Sequence, residues 1–540
     1  MIPARENLAT SYGTSVVTLP TDVKLSRWFW WIWLLVIGII SPFFLLTMGT
    51  GPYLHSDEFM NLDLGRVILD PKTDWSIAWM LDQQKPVYLF SYVGTVLQEL
   101  SFEFGGQYGP RVSGLIGALA AATALLGWLI ARRTSPNVAI LLGLIFLLDP
   151  LFVQAFTIGR IDGWPMALCL SSCWILRDSG NYLSKLSLLH VRLLSAGGLA
   201  TIAFFTWPSA VFLFPLIALE LFDVLKKNVN GGYSFQKSYR PVLYFIAGGV
   251  VVTLLLLLPI ISQLLSQYKN ALEGLKANTH GGSSQEKLTI LNNAVELLRV
   301  LKYTPVMVLI ALLVFFKFRQ MSLTLAILTV LILMISTLVY INRVQYLLPY
   351  FLAYIGSLYH QKNIESSSQW LRMGSLAALL FWSVGLSLGV RTYLAFDTQQ
   401  ERKRELVHQA ALSMIGSGEH RVLIPYEFYY SGRSLGWKMY RAYIAYNNPF
   451  NTDMLKKILT RVDYAIMRQP MGEFEWVMLE EGWLDKGTIY LYDKPSEAFD
   501  GKTTNESRIR NLYSIFRKPY GPYRLFVRNK RISTLTEETQ

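Results

Sequence analysis

Residues 28–48 read WFWWIWLLVIGIISPFFLLTM, a run with no charged side chain. A bilayer's hydrocarbon core is about 30 Å thick and takes about 20 apolar helical residues to cross. The run starts too late in the chain, and is too long, for a cleaved signal peptide, so it reads as a first membrane span. Similar runs cover 111–131, 137–157, 161–177, 190–206, 209–225, 242–264, 298–316, 321–341, 344–360 and 372–394. With the first, they predict an α-helical polytopic membrane protein of eleven spans. The run at 161–177 is short, and 344–360 contains Pro349. Another stretch, 86–104, is apolar only to Leu97 before Gln98, Glu99 and Glu103 intrude. It is too short to span and reads as a helix at the membrane interface.

Composition agrees. The chain has 540 residues, 52% of them apolar and 16% charged. Soluble domains average about 25% charged residues. Disorder needs the opposite bias. Cys169 and Cys173, the two cysteines, are four apart in one apolar segment. That spacing excludes a disulfide scaffold, a zinc finger and a CxxC redox motif. The net charge of +13 is read as membrane topology, with no nucleic acid implied. With a cytoplasmic N-terminus (1–27), the cytoplasmic connections hold Arg132 and Arg133; Arg177, Lys185 and Arg192; Lys226, Lys227, Lys237 and Arg240; Lys317 and Arg319; and Lys362. Each is basic, as the positive-inside rule requires, and counting 86–104 as a span would invert that order.

The expected organisation is a transmembrane domain over 28–395, with an outer loop and juxtamembrane helices at 49–110, and an extracytoplasmic α/β domain over 396–540. In the tail, helices are expected at 400–415 and 452–461. Strands are expected at Arg421–Tyr426, Tyr464–Met467, Thr488–Asp493 and Tyr523–Arg528. No internal repeat is evident, which weighs against inverted-repeat transporters.

Four sites converge on the outer face in this topology. Asp57 and Glu58 follow the first span and suit a general base or a cation ligand; equally, acids in an outer loop can simply be solvated. Lys85 opens the 86–104 helix, where a lysine can snorkel to headgroups or hold a phosphate. Gly159-Arg160-Ile161-Asp162 enters the fourth span, where Asp162 can cap a helix or serve function, with Arg160 as its partner. Arg343, in Asn342-Arg343-Val344-Gln345-Tyr346, departs from the positive-inside trend and suits a lipid-linked phosphate. Together, acids and cations suit a reaction in which a phosphate leaves and a carboxylate takes a proton.

These elements, in this order over about 30–360, resemble the polytopic GT-C glycosyltransferases, especially the bacterial branch near aminoarabinose transferase and the protein O-mannosyltransferases. The matching pieces are Ser56-Asp57-Glu58, Lys85-Pro86-Val87-Tyr88, Gly109-Pro110-Arg111 through Ala131-Arg132-Arg133, Gly159-Arg160-Ile161-Asp162, and Arg343 through Pro349. The resemblance implies an integral-membrane enzyme, in the bacterial inner membrane, that inverts the anomeric carbon. It would transfer a sugar from a polyprenyl-phosphate donor to a lipid, polysaccharide or protein acceptor at the extracytoplasmic face. It assigns Asp57, Glu58 and Asp162 to the catalytic set, and Lys85, Arg343 and Arg160 to the donor phosphate. The sequence departs from the pattern with Lys-Pro-Val for Lys-Pro-Pro, and with Thr206-Trp207-Pro208 where relatives have Thr-Lys-Gly-Pro. Some relatives bind a divalent cation; only His55 stands near the acids here, so no metal is assigned.

Two other features carry open readings. His280-Gly281-Gly282-Ser283-Ser284 in the loop 265–297 suits a hinge for a lid or an idle linker. The tail aromatics Tyr426, Tyr429, Tyr430, Trp437, Tyr440, Tyr443 and Tyr446 suit a domain core, or a face resting on the membrane surface, better than a sugar platform. The competing functions are a transporter or flippase of lipid-linked saccharide, and a non-catalytic scaffold. A transporter places its ionisable residues near the midplane, whereas these gather at span ends.

Overall fold

The structure is a computed structural model. It describes residues 27–49, 56–69, 91–179, 186–230, 239–258, 290–317, 320–337, 339, 341–359, 369–397, 399–441, 452–469, 473–492 and 520–529. The expectations for His55, Lys85, the 280–284 hinge, Tyr443 and Tyr446 lie outside these residues.

The first apolar run is helix α1 (Arg27–Gly49). A short helix, α2 (Ser56–Leu69), follows it. By length and composition, six described helical runs can cross a membrane: 27–48, 92–131, 188–206, 208–227, 240–257 and 372–393. Two further runs form bent pairs, 136–147 with 150–157 at 56° and 290–301 with 305–316 at 107°. The remaining expected spans are helical but fall short of a straight crossing. The run expected at 161–177 forms a 17-residue helix, 163–179, and that at 321–341 a 15-residue helix, 321–335. The run at 344–360 is interrupted by a tight turn at Gln345–Leu347. Proline explains the breaks, because Pro150, Pro305 and Pro349 each sit in the first turn of the helix after the break.

The run 92–131 is not one rod. It comprises α3 (Tyr92–Gly105) and α4 (Gly109–Ala131), joined by a tight turn at Gly106–Tyr108. A Cβ at Gly109 would stand 1.7 Å from the Ser101 carbonyl oxygen. Eight residues of straight helix separate such positions by about 12 Å. Helix α3 therefore folds back at the turn, with Gly94 against the Thr206 carbonyl at the end of a neighbouring helix.

The bundle continues with α5 (Pro136–Leu147), α6 (Pro150–Thr157), α7 (Gly163–Ser179), α8 (Leu186–Thr206), α9 (Phe214–Asn230) and α10 (Arg240–Leu257). Its centre is built by α4, α7, α8 and α10 in succession. Where lipid surrounds a helix pair, close packing replaces the hydrophobic effect as the driving force, and small residues permit it. Helices α8 and α10 show this: a Cβ on Gly248 would stand 2.0 Å from the Leu194 carbonyl, and one on Gly197 would stand 1.9 Å from that of Phe245. At one end, the fully buried Glu220 of α9 accepts from Trp128 (2.9 Å) and pairs with Arg132 (2.6 Å) and Arg177 (3.3 Å). After α10 come α11 (Ile290–Leu301), α12 (Pro305–Lys317), α13 (Met321–Ile335), α14 (Ile341–Val344), α15 (Leu348–Ser357), α16 (Gln369–Leu380), a π-helical stretch Phe381–Val390, and α17 (Arg391–Asp397).

The tail forms α18 (Arg404–Met414), β1 (Arg421–Ile424), α19 (Tyr429–Ser434), β2 (Lys438–Arg441), α20 (Thr452–Leu459), β3 (Tyr464–Arg468), α21 (Glu473–Glu480), β4 (Leu484–Ile489) and β5 (Tyr523–Val527). The sheet runs β2-β1-β3-β5-β4, with β1 parallel to β2 and β3, and β5 antiparallel to β3 and β4. Period-two alternation divides the side chains between two faces. Leu423, Ala465 and Met467 pack with α20 and α21. Val422, Ile424 and Ile466 pack with α18, α19 and, from α2, Phe59 and Leu62. The first loop thus lends two side chains to the tail's own core. Strand β4 begins four residues before the expected Thr488, where Asp485-Lys486-Gly487 reads as polar turn. The Asp485 carboxylate accepts from the Gly487 amide, which supports the bulge between Asp485 and Thr488.

Gly248→Leu is expected to force α8 and α10 apart and cost about 1–3 kcal/mol. Gly38→Ala, at a position with no heavy atom within 4 Å, is the control. Thermal unfolding in detergent should show a lower Tm for the first and no decrease for the second.

Candidate active site at the end of the bundle

Glu58 stands in the first turn of α2 and has no exposed surface. A buried carboxylate needs a partner. That partner is Arg111, also fully buried, in the first turn of α4 behind Pro110. The guanidinium grips the carboxylate in two places, Nε to Oε1 at 3.3 Å and Nη2 to Oε2 at 3.2 Å. The Tyr430 hydroxyl from α19 donates to Glu58 Oε1 at 2.6 Å. On a further side, Gly159 lies so close that a Cβ there would stand 3.0 Å from the Glu58 Cγ and Cδ atoms. Its φ of +72° also suits glycine. Gln98 of α3 donates to the Gly159 carbonyl.

The Gly159 loop carries the next pair. Arg160 Nε meets Asp162 Oδ2 at 2.7 Å, and the Tyr346 hydroxyl donates to Asp162 Oδ1 at 3.0 Å. The Arg160 guanidinium lies 5.8 Å from the Trp207 ring centroid, within cation–π range. Tyr346 joins the Arg343 segment to this loop, and α14, which holds the half-buried Arg343, packs on α6. The structure therefore brings Glu58, Arg160 and Asp162 together and ties Arg343's segment to them. Asp57 lies in the first turn of α2, about 100° round the helix from position 58; its side chain, like all of Lys85, lies outside the described residues.

A second layer fastens α2 and α3 to the tail. The Tyr429 hydroxyl donates to Asp63 at 2.8 Å, and Arg66 pairs with the same carboxylate at 3.2 Å. Arg433 grips Glu99 with two nitrogens and lies 4.0 Å from the Phe102 ring centroid. Arg404 donates to the Gln107 carbonyl at 3.1 Å, and the Tyr108 and Tyr430 rings each lie 5.1 Å from its guanidinium carbon. Burial, and then the Glu58 charge, pushes the Tyr430 hydroxyl well above the usual phenol range. Burial, and then Asp63, does the same to Tyr429. Burial works against the charge on Arg433, but Glu99, Tyr429 and Asp63 together outweigh it and hold the proton more tightly.

The sequence assigns no site role to Gln98, Arg111, Arg404 or Arg433. Glu99 and Glu103, four apart in an apolar stretch, were the available signal. Among the tail aromatics, Tyr429, Tyr430 and Trp437 are core residues. Among the described residues, no group of three or more His, Cys, Asp or Glu side chains is arranged to hold a metal ion.

No family model and no curated relative matches this chain. The fold does have likenesses among solved structures. ArnT, the aminoarabinose transferase, from Cupriavidus metallidurans in the apo state superimposes with a TM-score of 0.58 at 10% identity, covering 86% of this chain and 97% of that one. Its structure bound to undecaprenyl phosphate gives 0.57 at 10% identity, covering 86% and 96%. The apo oligosaccharyltransferase of Archaeoglobus fulgidus gives 0.47 at 12% identity, covering 83% and 71%. The chain thus shares the GT-C fold of ArnT, as the order of its sequence elements suggested.

Arg111→Leu strands a buried Glu58 charge and is expected to cost about 3–5 kcal/mol. The double change Glu58→Leu/Arg111→Leu strands no charge and should cost less; denaturant or thermal unfolding decides. The raised Tyr430 pKa also sets a sign. A neutral phenol is favoured in the folded protein, so its contribution is complete below the unfolded value of about 10 and is lost as pH rises above it. Melting from pH 9 to 11 should show a loss of stability that Tyr430→Phe makes smaller.

Proposed function

We propose that this protein is an integral-membrane glycosyltransferase that moves a sugar from a polyprenyl-phosphate donor to a lipid, polysaccharide or protein acceptor. The observation that carries this reading is the fold likeness, which extends over 97% of the length of ArnT, a protein also solved with undecaprenyl phosphate. The charged layer at the Glu58 end supports it. The basic residues Arg132 and Arg177 lie at the Glu220 end. The positive-inside rule puts that end in the cytoplasm and the Glu58 end outside.

In this reading an acceptor hydroxyl or amine attacks the anomeric carbon. The bond from that carbon to the phosphate oxygen breaks, and the phosphate keeps the electron pair. Asp57 is the general base that takes the acceptor's proton. Lys85, Arg343 and Arg160 stabilise the charge growing on the phosphate. Glu58, gripped by Arg111 and Tyr430, supports the turn that carries Asp57. Asp162, bonded to Arg160 and Tyr346, holds the phosphate-facing loop in place.

Transport of a lipid-linked saccharide is the second reading, and one observation favours it. Asp149 is fully buried at the break between α5 and α6, and accepts from Thr304 (2.7 Å) at the break between α11 and α12. Broken helices with a buried acid are a transporter trait.

The test uses the purified full-length chain in lipid with a panel of polyprenyl-phosphate sugars. Release of polyprenyl phosphate from one donor is expected, and Asp57→Asn should cut the rate roughly 10²–10⁴-fold. Arg343→Ala should raise the donor KM. Silence on every donor, even with cell-envelope extract as acceptor source, would sink the transferase reading. Transport without polyprenyl-phosphate release, lost in Asp149→Asn, would install the second.

A further inference from the structure

We infer that Tyr430, in the tail, is a positioning residue for the first turn of α2 and, through Glu58, for Asp57. The role of Asp57 rests on the transferase reading above; the anchoring rests on geometry alone. Helix starts lack intrahelical partners for their first amides, so a first turn needs outside support to stay in one place. In α2 that support converges on Glu58, the neighbour of Asp57. Arg111 balances its charge through two bonds, and the Gly159 backbone closes one side. Tyr430 adds the bond that reaches it from the tail.

Tyr430 is itself held rigidly. Its ring stacks on Phe102 with centroids 5.7 Å apart and planes 13° apart. It meets Phe59 edge-on at 5.7 Å, and the Arg404 guanidinium lies 5.1 Å away. The hydroxyl is therefore aimed by packing on three sides, and docking of the tail is read out at the turn that bears the base. The adjacent Tyr429 supplies an internal comparison. It lies on the same short helix, is likewise buried, and donates to Asp63. Asp63 stands five residues further along α2 than Glu58, beyond the first turn.

Tyr430→Phe and Tyr429→Phe each remove one buried hydroxyl and keep the ring. Both would be compared with wild type in the full-length chain in lipid nanodiscs. The first readout is hydrogen exchange along α2. Tyr430→Phe should speed exchange of the amides of residues 59–61, which bond back to the start of α2, roughly tenfold or more, the factor expected for a hydrogen bond to a charged group. Tyr429→Phe should leave those amides unchanged. The second readout is turnover of the donor that wild type uses. Tyr430→Phe should lower kcat roughly 10- to 100-fold, the scale of a misplaced catalytic group, with the donor KM within about twofold. Tyr429→Phe should leave kcat as in wild type. In the background of Glu58→Gln, Tyr430→Phe should cost less kcat than it does in the wild type. Equal effects of the two tyrosine variants, or unchanged first-turn exchange in Tyr430→Phe, would overturn the inference. If wild type is silent on every donor while the exchange difference persists, the anchor stands and the transferase reading falls.

Discussion

Glu58 and Arg111 are two full charges with no exposed surface, and the architecture at their end of the bundle depends on their pairing. Taking such charges out of water costs several kcal/mol each, and only good geometry with further hydrogen bonds repays it. The surroundings supply these conditions. Helix α3 doubles back on α4, so that Gln98 holds the Gly159 carbonyl and Glu99 meets Arg433. Glycine at 159 lets the backbone close on the carboxylate. The tail then seals the pair with Tyr430. Loop, bundle and tail meet at one carboxylate, so none of the three can shift without exposing or stranding a charge.

Much of the bundle was legible because lipid leaves few choices. A run such as 28–48 has no stable alternative to a helix inside a bilayer. What composition does not report is where a run breaks. The 107° corner at Thr304-Pro305 and the 56° corner at Asp149-Pro150 lie inside stretches that read as continuous apolar spans. The tail strands β1, β3 and β5 followed from alternation of apolar residues, whereas β2 (Lys438–Arg441) is too short and too polar to announce itself.

The site was legible in its parts and not in its pairings. Glu58, Arg160, Asp162 and Arg343 could be singled out as charges at span ends. That Arg111 would neutralise Glu58, that Tyr346 would reach Asp162, and that Tyr429 and Tyr430 would bond to Asp63 and Glu58 are facts about distant segments meeting. Local pattern carries no information on such contacts. Of the tail aromatics, Tyr429, Tyr430 and Trp437 are core, and the two tyrosines also carry the hydroxyls that dock the tail.

The order of strands in the tail sheet also constrains how the molecule comes into being. Strand β5, last in sequence among the described strands, lies between β3 and β4, so the sheet has a gap until residues 523–527 have been made. Tyr430 lies 372 residues after Glu58. The buried carboxylate therefore waits for its tail partner until those 372 residues have been made. A product that lacks β5 leaves β3 and β4 without the strand that joins them. Closure of the sheet and sealing of the carboxylate are thus separate events, because Tyr430 precedes β5 in the chain.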